Sequence, residues 1–214
     1  RDPLWSRGLG DVYKRQVMSL APQLEAVGRI ASSEERTAQY TRLLEQALHD
    51  TPSASLPSLV RTYVDGAVLD PVNTTGAGLL VGRHMLAHLA TQLAAAHIPA
   101  NILCTIVSDT LASCEASSIM WDDELGPWRV LLAEQHASLS RWRDAAQALQ
   151  SITPHAARRI PQLSFAQLCV RVVELWLHDL PSHVAEAEQA IKRANSAILD
   201  ERDNKALVHE LWSY

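Results

Sequence analysis

Apolar side chains return at helical spacing almost everywhere from Ser32 onward, and no segment alternates with period two for long enough to form a strand. That pattern excludes a sheet-based fold and predicts an all-α protein. Ser32 to Glu35 forms a capping-box pattern, in which the serine hydroxyl accepts from a backbone N–H that the first turn leaves unpaired and the glutamate reaches back to the cap. The helix it opens runs through about His49, with Tyr40, Leu43, Leu44, Ala47 and Leu48 on one face. Thr51-Pro52 stops it, because proline lacks the donor a helix needs and restricts the residue before it. Leu56-Pro57 opens the next helix, whose stripe is Leu59, Val60, Tyr63, Val64, Ala67 and Val68, and Asp70-Pro71 ends it. A Thr/Gly loop from Asn73 to Gly78 leads to a helix through about Ala96. Pro99 then opens one that runs to about Ser117 with Ile102, Leu103, Ile106, Val107 and Leu111 inward.

The second half repeats itself. Ala145-Ala146-Gln147-Ala148-Leu149 recurs as Ala187-Glu188-Gln189-Ala190-Ile191, and each copy follows a helix that ends near a Trp-containing or His-Asp turn. A single helix pair cannot bury its apolar face alone, so this period predicts stacked antiparallel pairs, an α-solenoid of the tetratricopeptide-like kind. Pro154 and Pro161 bound the connection between the pairs. Pro181-Ser182 starts a helix through about Ile198, and Asp203 to Tyr214 begins another that stops in mid-pattern. No polar capping helix follows, which predicts an uncovered apolar flank around Ala206, Leu207 and Leu211.

The first sixteen residues have a different character. Arg1 to Gln16 is polar and aperiodic, and Ser6 to Gln16 looks like an in-frame translation of a transposase-based sequencing adapter, whose mosaic end encodes Asp11 to Gln16. The expectation is that residues 1–16 are a disordered artefact, and that residues 17–214 form one helical-repeat arm truncated at its C-terminus. Excluding 1–16 removes Arg1, Arg7, Lys14 and Arg15 but only Asp2 and Asp11, so the net charge moves from −5 to −7. This acidity, without a basic face, argues against nucleic acid, whose binders neutralise phosphates with Lys and Arg. No run of apolar residues is long enough for a membrane span. Cys104, Cys114 and Cys169 lack the paired spacings of a zinc site or disulfide framework, which points to a reducing compartment.

Candidate chemistry is sparse. His84 and His88 sit four apart on one helix face, the spacing that lets two imidazoles share a metal, but Met85-Leu86-Ala87 between them omits the glutamate base of a zinc hydrolase. A small metal-dependent enzyme built on these two histidines is the lesser alternative, and ordinary surface or interface histidines are the preferred reading. Glu34-Glu35, Asp122-Asp123-Glu124 and Glu186/Glu188 fall at helix starts, where carboxylates favour the positive end of the dipole. Cys104 and Cys114 read as small buried hydrophobes. Gly76-Ala77-Gly78 and Gly82 lack the strand and lysine of a phosphate-binding loop. Trp142 and Trp176 read as inter-repeat packing, Trp121 and Trp128 as packing in preference to interface anchors. Arg141, Arg143, Arg158 and Arg159 are expected near one edge, either as a surface for an acidic partner or as an ordinary solvated edge. No residue receives a catalytic, cofactor-binding or metal-binding role, and the chain reads as a helical scaffold.

The run from Arg129, RVLLAEQHASLSRWRDAAQALQSI, combines an Arg-x-x-Leu-Ala helix, a Trp-Arg turn and an Ala-Ala-Gln-x-Leu-x-x-Ile helix. It resembles the N-terminal helical-repeat arm of the fourth-subunit family of the COP-9 signalosome, within the PCI-domain proteins. Tyr40 to Leu48 looks like that family's opening helix, Val81, Arg83 and Leu86 match its Val-x-x-Arg-x-x-Leu helix loosely, and Leu168 to Ala194 looks like the next pair. The resemblance covers roughly residues 34–214, and its most specific piece is Trp142-Arg143-Asp144-Ala145-Ala146-Gln147. The family's C-terminal helical stack and winged helix have no counterpart in this sequence. The resemblance implies a non-catalytic subunit, cytoplasmic and nuclear, that contacts other signalosome subunits and helps position cullin-RING ubiquitin ligases, through the cullin C-terminal region and RING protein, for removal of a ubiquitin-like modifier. It implies no cofactor, nucleic acid or membrane partner. The paralogous proteasome-lid subunit shares the architecture and is the alternative assignment.

Overall fold

The computed structural model describes residues 20–158, 160, 164–178 and 183–212, with side chains described as far as Arg202. Residues 1–16, Arg159, Pro161, Pro181, Ser182 and Tyr214, and the side chains of Ala206, Leu207 and Leu211, lie outside that description. The chain is all-α, with no strand among the described residues. It divides into two compact units, Arg1–Glu124 and Leu125–Tyr214.

The first unit contains helix α1 (20–28), α2 (Ser33–Asp50), a 3-10 turn (Ser53–Ser55), α3 (Leu56–Tyr63), a π-helical turn (Val64–Val68), α4 (Pro71–Thr74), α5 (Gly78–Ala95) and α6 (Ala100–Ala116). Ser32 caps α2, the hydroxyl accepting from the Glu35 N–H at 3.3 Å, which is the serine half of the predicted box. The stripe from Leu59 to Val68 is buried throughout. Helix α2 packs on α5, and α3 on α6, the stacking of one helix pair upon the next. Glu45 approaches His88, while Tyr40, more than a turn earlier, shares the Tyr63 hydroxyl with Met85. The matching order along both helices makes α2 and α5 run in the same direction.

The predicted loop from Asn73 to Gly78 requires correction. Pro71–Thr74 is a turn of helix, because the Asp70 carboxylate accepts from the Val72 N–H and Pro71 needs no donor at the first position. Asn73 is fully buried, at 0% exposure. Its Nδ2 donates to the Ala67 carbonyl at 3.0 Å and to the Tyr40 hydroxyl at 3.1 Å. Ala67 lies in the π-helical turn, so the asparagine supplies a donor to a carbonyl that the widened turn presents to the core.

The second unit holds most of α7 (Asp122–Ser138), then α8 (Trp142–Gln150), α9 (Pro154–Ala157), α10 (Phe165–Leu177) and α11 (Val184–Trp212). Ser164 and Gln167 form a reciprocal capping box at the start of α10. Ala133, Ala145, Ala146, Leu149, Leu168, Val172, Leu175, Trp176, Ala187 and Ala190 make one core from four helices. The ends of α10 fix the directions. Trp142, which opens α8, stacks on His178 just past the end of α10, while Arg193 of α11 reaches both the Phe165 ring at the start of α10 and the end of α8. Helices α8 and α11 therefore run together and α10 runs against both, the up-down order of a helical repeat.

A second correction concerns the C-terminal helix. Residues 203–212 continue α11 and do not begin a new helix. Neither Gly nor Pro interrupts the span from Val184 to Trp212, and Asp203 alone does not outweigh an unbroken hydrogen-bond ladder. The internal recurrence is carried by the backbone pairing more faithfully than by the buried face. Leu149 is covered by α10, whereas Ile191, its counterpart in the recurrence, is 41% exposed.

Candidate interaction site

Among the described residues, the side chains whose type and spacing suggest chemistry do not converge on one site. His84 and His88 lie with parallel rings, centroids 6.4 Å apart, on the outer side of α5. The nearest carboxylate recorded for either is Glu45, whose Oε1 is 4.0 Å from His88 Nε2, beyond hydrogen-bond range. Among the described residues, no three His, Cys, Asp or Glu side chains converge as metal ligands. Cys104, Cys114 and Cys169 are buried as free thiols. Burial pushes the Cys114 thiol up to about 12, with Glu115 adding to the effect. A thiol so poised is protonated at neutral pH and is a poor nucleophile.

The acidic runs serve helix starts. Glu34 and Glu35 open α2, Asp122 to Glu124 open α7, and Glu186 lies in the first turn of α11. The glycines serve packing. A Cβ on Gly82 would lie 2.7 Å from the Asn73 carbonyl oxygen, and one on Gly78 would lie 1.8 Å from that of Val72. These two positions let α5 approach the corner formed by the π-helical turn and α4.

Trp121 and Trp128 are both interior, which supports their packing reading. The Trp121 indole N–H donates to Ser117 at 2.8 Å. Trp142 stacks on His178 with centroids 4.5 Å apart, and buried Trp176 meets His183 edge-on at 5.3 Å. Both tryptophans hold the turns of the second unit together. Arg141, Arg143 and Arg158 are exposed, which a solvated edge and a contact edge share.

One concavity of the second unit lies apart from the residues that the sequence marks for chemistry. It is an open groove of about 490 Å³ between α7 and α10. Val130, Ala133 and Ala137 of α7 form one wall, Leu168 and Leu175 of α10 the other, and Leu149 of α8 the floor. Its rim carries Glu134 on one side and the Arg171–Glu174 pair, at 3.7 Å, on the other. Val130, Ala133, Glu134 and Ala137 recur at three- and four-residue steps, and that stripe is the sequence signal of the groove. The small side chains on α7 leave the space that larger ones would fill.

No family model matches this chain. The chain is similar to COP9 signalosome complex subunit 4 of Caenorhabditis elegans, with 28% identity over 181 residues. The match takes in 79% of this chain and 42% of the relative, so this chain spans less than half of the relative's length.

Proposed function

We propose that this chain is a non-catalytic scaffold arm of a signalosome, present in cytoplasm and nucleus, which helps present cullin-RING ubiquitin ligases for removal of their ubiquitin-like modifier. The observation that carries the reading is the similarity to a signalosome subunit across 79% of this chain. The architecture suits the task. Stacked helix pairs hold long rigid surfaces at small cost in conformational freedom, and an arm that senses a ligase needs differential contact with two states of the assembly.

Depletion of the full-length protein in its source cells tests this reading. Cullins bearing the modifier should accumulate, and re-expression of the protein should reverse the change. An unaltered modified fraction after complete depletion would overturn the proposal.

A further inference from the structure

The groove lies wholly within the second unit, between α7 and α10, and its geometry indicates an occupant. Its α7 wall runs from Val130 to Ala137 and its α10 wall from Gln167 to Leu175. At 1.5 Å per helical residue, these spans are about 10–12 Å long, two turns of an α-helix. The interior is apolar, with Ala133, Ala137, Leu149, Leu168 and Leu175 facing the space, and Val170 stands 39% exposed among the lining residues. The charges are unequal. Arg171 is engaged by Glu174, whereas Glu134 on the opposite lip has no cationic partner among the described residues. The lip therefore carries a net negative charge beside an apolar trough.

We propose that this groove is a docking site for an amphipathic helix of a partner protein. That helix presents leucine- or methionine-sized anchors at i, i+3 or i+4, and i+7 to the trough, and places lysine or arginine against Glu134. Apolar anchors remove the groove lining from water, while the basic flank fixes register and excludes acidic helices. A second copy of this chain is a poorer occupant, because its net charge is −5 and like-charged surfaces oppose their own association.

The test uses the whole chain and a fluorescein-labelled synthetic helix of about 14 residues, four turns, with leucines on one face and lysines flanking them. A sister peptide carries glutamate in place of each lysine. Fluorescence anisotropy should show saturable binding of the lysine peptide and at least about tenfold weaker binding of the glutamate peptide. Glu134→Lys should weaken the lysine peptide by about tenfold and narrow the gap between the two peptides, and the milder Glu134→Gln should fall between. Val170→Asp should weaken both. Amide chemical-shift changes should concentrate in 130–137 and 167–175, and thermal melts should show that these surface variants remain folded. Absent binding of the lysine peptide, binding indifferent to charge, shifts centred elsewhere, or a dimer of the chain abolished by Val170→Asp would each overturn the proposal.

Discussion

Arg193 closes the C-terminus of α8 from 43 residues away, its Nη1 donating to the Gln150 carbonyl oxygen at 3.0 Å. Its Nη2 donates to Ile152 at 3.3 Å, and the guanidinium stands over the Phe165 ring, 5.2 Å from the centroid. One side chain thus ties the end of α8, the start of α10 and the middle of α11. From the other side, Arg129 donates to the Ser151 carbonyl at 3.1 Å. The final carbonyls of a helix have no partner within it and carry its negative pole, so two cationic donors are well placed there.

Arg193→Ala should cost about 1–2 kcal/mol in urea unfolding, the value of charge-assisted bonds reduced by their partial exposure. Arg193→Lys should recover less than half of that, since an ammonium cannot reproduce the planar two-pronged contact. Equal stability of all three proteins would remove Arg193 from its role as a tie.

Asn73 holds the π-helical turn. Asn73→Leu leaves the Tyr40 hydroxyl and the Ala67 carbonyl without this donor in a dry interior, and should cost about 2–3 kcal/mol. Tyr63→Phe loses bonds to the Tyr40 carbonyl and Met85 sulfur that are both 3.3 Å long, so its expected cost is nearer 1 kcal/mol. Chemical denaturation of the two variants checks the order, which is the sensitive part of the prediction.

Gly82→Ala places a methyl 2.7 Å from the Asn73 carbonyl oxygen and should destabilise by about 1–3 kcal/mol. Gly78→Ala meets the Val72 oxygen at 1.8 Å and should be worse. Gly28→Ala provides the contrast, because its nearest neighbour would be the Tyr40 hydroxyl at 3.4 Å. There, helix propensity should leave stability unchanged or raise it by up to about 1 kcal/mol. Melting temperatures of the three variants separate close approach from a general glycine effect.

Cys114 gives an alkaline signature. Its thiol is held up to about 12 in the folded chain, against an ordinary value of 9.0. Between these values the folded state binds more protons than the unfolded state, so stability falls as pH rises through that window and is unaffected below it. The slope attributable to this group approaches about 1.4 kcal/mol per pH unit at its steepest. Cys114→Ala should flatten the loss between pH 9 and 11 in paired urea titrations. An identical pH dependence in both proteins would contradict the burial-driven shift.

The parts of the fold legible in the sequence are those specified locally. The Leu59 to Val68 stripe and the Ser32 cap needed only residues within a few turns of one another. The π-helical turn was not legible, because Asn73 interacts with Ala67 and Tyr40 across a chain reversal that periodicity does not encode. Asn73 itself reads as a loop former for the same reason that it works here, namely a short amide that bonds to nearby backbone. Likewise, Asp203 reads as a helix start because short acidic side chains favour caps, yet the α11 ladder runs through it. The groove is not legible in the sequence because its volume depends on the spacing of α7 and α10. Its apolar wall and acidic lip look, in one dimension, like an ordinary amphipathic helix.

Affinity purification of the tagged full-length protein from its source cells, followed by quantitative mass spectrometry of the intact complex, tests the scaffold assignment most directly. The account predicts stoichiometric recovery of signalosome subunits, including an isopeptidase-bearing one, with cullin-RING ligases in lesser amount. Recovery with proteasome ATPases in place of those subunits, or as a free protein, would contradict it.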